Sequence, residues 1–441
     1  MKPVKSMSLE AMIGRLLEKF RGIADDRAEG RVEYLLPATL MSGFAMMFFQ
    51  HPSLLQFQRR MKQRRQRCNL ETIFGVREVP SESQMRVIMD GVDPEPLRQL
   101  LPELFEGVRR AGWAGQFKLQ VPSGEQSGDY YTVAIDGSDY FHSTRIKCPG
   151  CVQRRDSQGT VHYYHTVVGA TLVKTGSHRV LPLDVEEVRN SDGSQKQDCE
   201  INAGKRLMER LRREHRQLKL IVSGDDLYSH EPFVQQLMQQ RFHYVLVAKP
   251  ESHQELFQWV EMIEQAGGGQ RGSWQQGPAC KRRDFEYRIL RQVPLTAEHQ
   301  TWVTLVEVWE RDKEGRLLYH NSWITDLEVD HQNVALIMRI GRSKWKIENE
   351  QFNVQKNQGY ELEHNYGHGT QTLSMIFYLL NLLAFVAPAI LELGDRLYQQ
   401  CRRQESRREL WNVLRTIMAL ILVDSWQQML LTVLADDVPG P

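Results

Sequence analysis

Residues 218–228 read LKLIVSGDDLY, an apolar run of strand length that stops on Gly224 and two acids, Asp225 and Asp226. Ahead of it, QDCEINAGKRLMERLRREH (197–215) repeats apolar residues at three and four, as an amphipathic helix does. Behind it, EPFVQQLMQQR (231–241) reads as a second helix and FHYVLVAKP (242–250) as a second buried strand. The alternation of helix and apolar strand predicts an α/β arrangement, with Asp225 at the carboxyl end of its strand, where open α/β sheets bind ligands. Asp226 leaves a one-residue ambiguity in that assignment.

Further out, YTVAIDGSDYF (131–141), VHYYHTVVGATLV (161–173) and HRVLPLDVEEV (178–188) read as three consecutive strands with DG and GS turn signals between them. The first runs into Asp136, 89 residues before Asp225, which predicts two acids at strand ends. Three strands followed by helix, strand, helix, strand is the order of a mixed sheet of RNase H-like type. Beyond it, RRDFEYRIL, TWVTLVEVWE and LLYHNSWITDL predict a β-rich insertion, and a helix is expected from about residue 332 through 357. SLEAMIGRLLEKF (8–20) and PSESQMRVIMDGV (80–92) mark a helical N-terminal region, PSGEQSGDYY (122–131) reads as a linker, and the tail is helical and strongly apolar. The fold class expected is α+β or mixed α/β. The expected division is a helical DNA-binding domain over 1–125, an RNase H-like core over 126–250 and 331–395, the β-rich insertion over 251–330, and a helical C-terminal region over 396–441.

The 441 residues carry 56 Lys plus Arg against 55 Asp plus Glu, so net charge gives no indication of nucleic acid and local clusters must. RRMKQRRQR (59–67) is such a cluster, with six positive charges in nine residues and no acid; CRRQESRR (401–408) is a milder one. Arg59, Arg60, Arg64, Arg65 and Arg67 read either as a solvated helix face or as contacts to DNA phosphates. Six unevenly spaced cysteines and no secretory leader suggest a reduced, cytoplasmic compartment. The early apolar stretch LLPATLMSGFAMMFF (35–49) is broken by Pro37 and too short to span a bilayer, so it reads as a buried helix and no membrane partner is expected. IKCPGC places Cys148 and Cys151 at metal-ligand spacing, and VHYYH offers His162 and His165; these four are the candidate ligands of a structural zinc, with Cys199 as an alternative. His162 and His165 lie three apart on a strand and so face opposite ways.

GRSKWKIENEQFNVQK (341–356) contains two acids, Glu348 and Glu350. At about 100° per residue, Gly341, Trp345, Glu348, Phe352 and Lys356 form one stripe beside a second stripe of Leu336, Ile340, Ile347 and Val354, and Glu350 points the other way. Glu348 is therefore expected near the core, where an ionised carboxylate needs a metal or a cation. The plainer reading is a Lys344–Glu348 pair at i, i+4 on the surface. Three converging carboxylates would suit Mg²⁺ or Mn²⁺ and phosphoryl-transfer chemistry.

AIDGSDYFHS, KQDCEINAGKR, SGDDLYSHEPF with HYVLVAKP, and KWKIENEQFNVQKNQGYELEHNYGHG together resemble the DDE transposases of bacterial insertion sequences, in the group with a β-rich insertion before the catalytic Glu. The resemblance spans roughly residues 130–370. It implies Asp136, Asp225 and Glu348 as the Mg²⁺-binding triad, Lys344 and Lys356 as DNA contacts, double-stranded transposon ends and target as partners, and a homodimer in the synaptic complex. It places the protein in the bacterial cytoplasm, on the nucleoid when bound. The signature's Tyr, Arg and Lys are not matched: Gly341 stands seven residues before Glu348, Lys344 four before, and Gln355 seven after, with Lys356 one step late. The acid transfers well and the DNA-contact positions poorly. The alternatives are a host nuclease with the same core, or a repurposed element that only binds DNA.

Overall fold

The computed structural model describes residues 5–27, 32–122, 126–190, 198–298 and 300–435. Residues 123–125 of the expected linker, and Lys196 and Gln197 of the quoted motifs, lie outside them.

The N-terminal third is helical: α1 (Leu9–Arg21), α2 (Leu36–Phe48), α3 (Leu54–Met61), α4 (Arg64–Phe74), α5 (Glu82–Met89) and α6 (Glu95–Arg110). Local chemistry explains the starts. Ser8 and Ser53 accept the orphan N–H groups of Ala11 and Gln56, and Ser81 forms a reciprocal capping box with Gln84. Next come β1 (Lys118–Val121), β2 (Gly128–Ser143), β3 (Val152–Arg155), β4 (Val161–Val173) and β5 (Val180–Val188), then α7 (Glu200–Glu214), β6 (Leu220–Gly224), α8 (Glu231–Gln239) and β7 (His243–Val247). The chain continues through α9 (Gln254–Gln265) into β8 (Gln270–Gln276), β9 (Arg283–Pro294), β10 (Trp302–Asp312) and β11 (Leu317–Thr325).

The protein is a mixed α+β structure built on one sheet, in which β5, β4, β2, β6 and β7 lie side by side. β4 runs antiparallel to its neighbours β2 and β5, whereas β6 runs parallel to β2 and β7 parallel to β6. β11 then pairs antiparallel with β7, so the β-rich segment extends the same sheet through β10, β9 and β8. Two sequence expectations change here. Gly128–Tyr131, expected in a linker, already belong to β2, because β1 pairs with them as a short hairpin. Asp136 does not end its strand: β2 runs on to Ser143, and the DGS triplet stays within it, because β4 pairs with β2 along this whole length.

Past the sheet the chain is helical again, through α10 (Val334–Arg342), α11 (Trp345–Ile347), a wide π turn over Glu348–Phe352, and α12 (Asn353–Asn357). It closes with α13 (Leu373–Gly394), α14 (Arg396–Gln404), α15 (Arg407–Leu420) and α16 (Trp426–Ala435). α13 is long and apolar enough to cross a membrane, but 94% of its most apolar window is buried inside the protein, against α2, α6 and β5. A buried ionic cluster ties the helical third to the sheet: Asp184 of β5, 1% exposed, accepts from Arg98 of α6 and Arg210 of α7 at 2.8 Å each. Removing one partner from such a cluster costs about 3–5 kcal/mol, because it strands a desolvated charge.

Candidate active site

Strand register brings the two aspartates together. Tyr131 of β2 lies opposite Leu220 of β6 and Ala134 opposite Ser223, a constant offset of 89 residues. Carried two residues further, the same offset sets Asp136 beside Asp225, where β6 ends and β2 loses its parallel neighbour. Gly224 is enclosed by Ile135, Leu246 and Tyr228, which would crowd a side chain there. The two neighbouring acids have different partners. Asp225 faces the site and caps the following turn through Leu227 N–H at 3.1 Å, while Asp226 accepts from Lys249 N–H at 2.6 Å and from the Ser252 hydroxyl.

Lys344 lies between the aspartates. Its ammonium is 3.1 Å from Asp136 Oδ2 and 3.8 Å from Asp225 Oδ2, with its side chain 8% exposed. Burial pushes the Asp136 carboxyl above its ordinary range; Lys344 pulls it back, and the charges of Asp225 and Glu348 push it up again. A fourth acid, which the sequence reading did not assign, belongs to the same cluster. Glu200, in the first turn of α7, leans its carboxylate over Gly137, where a Cβ would sit 2.2 Å from Oε2. Its carboxyl is raised by burial, lowered by Arg154, and raised by Asp139, Asp136 and Asp225. Its only signal in sequence is an acid at a helix start, which is usually a dipole effect.

Glu348 reaches this cluster by a route that the even 100° wheel does not give. The helical path over 334–357 holds, but its phase does not. Lys346 and Ile347 bond back to Ser343 and Lys344, a tight three-residue spacing, and the next turn widens to the π form over Glu348–Phe352. As a result Lys344 is buried, Trp345 is 52% exposed and Glu348 is exposed, instead of lying between two apolar stripes. The alternative surface pair between Lys344 and Glu348 does not form either, since Lys344 faces the aspartates. Ile347 and Phe352 anchor the segment over Gly169 of β4, the residue opposite Asp136, and the Thr171 hydroxyl donates to Gln351. Glu350 points elsewhere, to His178 at 2.9 Å.

The signature departures have local explanations. A Cβ at Gly341 would lie 2.3 Å from the indole nitrogen of Trp323, a fully buried residue of β11, so no larger side chain fits there. Gln355 is fully buried and donates to Asn381 of α13 at 3.1 Å. Lys356 pairs with Glu363 at 2.9 Å.

The basic run straddles the turn between α3 and α4. Arg59, Arg64, Arg65 and Arg67 are exposed, Arg60 is half-buried, and none has an acidic partner among the described residues. The run does not stand alone: Arg60 and Arg408 act on Arg415 of α15, and burial, then Arg60 and Arg415, drive buried His51 down to about 3.

Cys148, Cys151 and His165 meet as expected, but their fourth neighbour is His368, not His162. His162 lies on the other face of β4, 2.7 Å from His142 and 3.0 Å from Asp156. Cys199 is exposed and outside the group. Among the described residues this is the only set of three or more His, Cys, Asp or Glu ligand atoms within 4.8 Å of one another, so the acids of the Asp136 cluster do not meet at a point. No protein-family model matches the chain, and no curated protein matches it.

Proposed function

We propose that this chain is a DDE transposase that cuts and joins DNA at the ends of an insertion sequence. The observation that carries the reading is that Lys344 lies within reach of both Asp136 and Asp225, which the register of β2 and β6, carried past Ser223, sets at one level, with the charge of Glu348 acting on Asp136 from the helix above. The strand order β5-β4-β2-β6-β7, antiparallel and then parallel, supports an RNase H-like core.

The donor set suits a hard divalent cation: every donor is a carboxylate oxygen, and two aspartates share one lysine while the charge of Glu348 also acts on Asp136, so the site has negative charge to spare. Mg²⁺ or Mn²⁺, when bound, supplies Lewis-acid activation of the attacking and leaving oxygens of a phosphodiester. Asp136, Asp225 and Glu348 would hold it, and Lys344 would have to give up its place between the aspartates. The unpaired arginines of α3 and α4, with Arg408, form a surface for DNA phosphates, a contact that positions the duplex without reading its sequence. Leu420, Ile421 and Leu422, each at least 41% exposed at the end of α15, suit a second copy of the chain, as paired ends require. The position of Lys344 favours a second reading, a repurposed protein in which the ammonium permanently replaces the cation and only DNA binding remains.

The test is strand cleavage of duplexes that carry the inverted repeats flanking the gene, with and without Mg²⁺. Asp136→Asn and Asp225→Asn should each lose cleavage and keep end binding. Cleavage by Asp225→Asn at more than a few per cent of the parent rate would move the assignment to Asp226, and metal-independent binding with no cleavage by the parent would establish the second reading.

A further inference from the structure

The Cys148, Cys151, His165 and His368 group lies outside the acid site and has no part in the chemistry above. The geometry points to a built-in tetrahedral zinc site that staples the segment after the Glu348 helix to the outer end of the β2–β4 hairpin. This inference does not depend on the transposase reading, since it rests on a separate set of ligands.

Interatomic distances carry it. Cys148 Sγ and Cys151 Sγ are 3.7 Å apart, and the sulfur-to-imidazole distances are 3.4 Å (Cys148–His165), 3.6 Å (Cys151–His165) and 3.3 Å (Cys151–His368). The two imidazole Nε2 atoms are 3.1 Å apart. A tetrahedron with zinc–sulfur bonds of about 2.3 Å and zinc–nitrogen bonds of about 2.0 Å has edges of about 3.8, 3.5 and 3.3 Å for the same pairs. The agreement covers every class of edge. It also distinguishes a metal site from a disulfide, because both thiols are free and too far apart to be bonded.

The atoms behind the ligands are consistent with this. His368 Nδ1–H donates to the Gly369 carbonyl at 3.0 Å, which leaves Nε2 with its lone pair facing the group. His165 Nδ1 lies 3.3 Å from Glu187 Oε1, within ion-pair range though off hydrogen-bond alignment. Glu187 is itself held by Tyr140 Oη at 3.2 Å and Arg189 Nε at 2.7 Å. A carboxylate or carbonyl behind each metal-ligating histidine is the usual outer-shell pattern, since it sets the tautomer and the ring orientation. Two Nε2 lone pairs pointed at one another across 3.1 Å repel unless a cation or a proton lies between them. Cys151, His165 and His368 are all buried, which protects the site and marks it as structural rather than open to substrate. Two thiolates with two imidazoles in a tetrahedron select zinc over the hard cations that suit the acids.

Topology gives the site its purpose. Cys148 and Cys151 belong to the excursion between β2 and β3, and His165 is on β4. His368 comes 203 residues after His165, between α12 and α13. The same segment is gripped from the helical third, where Asp90 accepts the N–H groups of Thr370, Gln371, Thr372 and Leu373. A bound metal would therefore tie the segment that follows α12 to the sheet at His368, beyond the place where Ile347 and Phe352 already pack over β4.

Metal analysis of the full chain purified without chelators is the test. The parent should carry about one zinc per chain; Cys151→Ser and His368→Ala should lose it, and His162→Ala should keep it. Should a ligand variant fail to fold, Co²⁺ titration of chelator-treated parent decides instead, through thiolate-to-cobalt charge transfer and the intense d–d bands of a tetrahedral site. A parent that contains no zinc and gives no such bands on adding Co²⁺ overturns the proposal. So does zinc that is retained by His368→Ala and lost by His162→Ala.

Discussion

The β2–β4 hairpin carries two groups of potential ligands within a few residues of each other, and they are built in opposite ways. At Asp136 the groups are hard carboxylates from β2, the turn after β6, α7 and the π turn, mutually repelling, kept apart, and offset by one buried ammonium. Farther out, at His165, the ligands are soft, in van der Waals contact, and oriented from behind by Glu187 and the Gly369 carbonyl. The first arrangement brings carboxylates of like charge together, and the Lys344 ammonium is the cation that offsets them. The second is finished before the metal binds. In the reading proposed above, the difference is that between a site which must admit and release its ion with substrate and one which never should.

The sharpest test of that contrast is catalytic. Glu348→Gln should lower metal-dependent cleavage by roughly 100-fold or more, since a lost ligand forfeits several kcal/mol of charge stabilisation in the transition state. Glu350→Gln, which loses its partner His178, should stay within about fivefold of the parent, because a surface pair contributes about 1 kcal/mol at most. Zinc content should be unchanged in both. If Glu350→Gln is inactive and Glu348→Gln active, the assignment of the third acid is wrong; if Glu348→Gln also loses zinc, the two sites are not separable and the comparison fails.

How far each site could be read from sequence follows from the range of the signal. Asp136 and Asp225 are legible as acids at or after apolar strands because strand patterning is local, but that they share a level comes from the pairing of β2 with β6, 89 residues apart, and Asp136 does not end its strand as the pattern implies. The Glu348 helix is legible as a helix, but its phase is not. One tight turn and one π turn rotate Lys344 inward and Glu348 outward, and both are set by packing on Gly169 and Trp323 rather than by the helix's own residues. The zinc-site candidates show the same limit: CxxC and the nearby His165 are visible by spacing, while His368 is brought in by the path of the chain between α12 and α13. Glu200 carries no spacing signal at all.

A stability measurement sharpens the role of Lys344. Lys344→Met should destabilise the protein in the absence of divalent cations by up to about 3 kcal/mol, the lower end for breaking a buried pair, because Asp225 is 41% exposed and partly screened. Mg²⁺ should then raise the melting temperature of the variant more than that of the parent, since a ligand stabilises the state it binds and no longer has to displace the ammonium. Equal indifference to Mg²⁺ in parent and variant would remove the cation from the acid site. Next in size is Gly341→Ala. Its Cβ would meet the Trp323 indole, and overpacking of this kind costs about 1–3 kcal/mol, read as a lower denaturation midpoint with unchanged zinc content. An unaffected midpoint would mean that Trp323 can move, and that the glycine does not fix the position of α10.

The smallest effect expected is also the one most specific to the acid site. Asp136 is held above its ordinary carboxyl value of 3.8 by burial, with Lys344 opposing and Asp225 and Glu348 reinforcing the rise. A carboxyl raised in the folded state binds its proton more tightly there than in the unfolded chain. Stability therefore falls as pH rises through the window between the two values, and the ionised group remains a cost above it. Asp136→Asn removes that cost. The variant should melt no lower than the parent at neutral pH, and the parent should gain on it as the pH is lowered from neutral toward the raised value. Glu200 is raised as well and contributes to both proteins, so the difference between their melting curves, not either curve alone, isolates Asp136. A variant clearly less stable than the parent at pH 7 would mean that the Lys344 pair outweighs the burial of the acid. The carboxylate would then be a structural partner of the lysine, and the contrast between a site that waits for its ion and one already arranged around it would not hold.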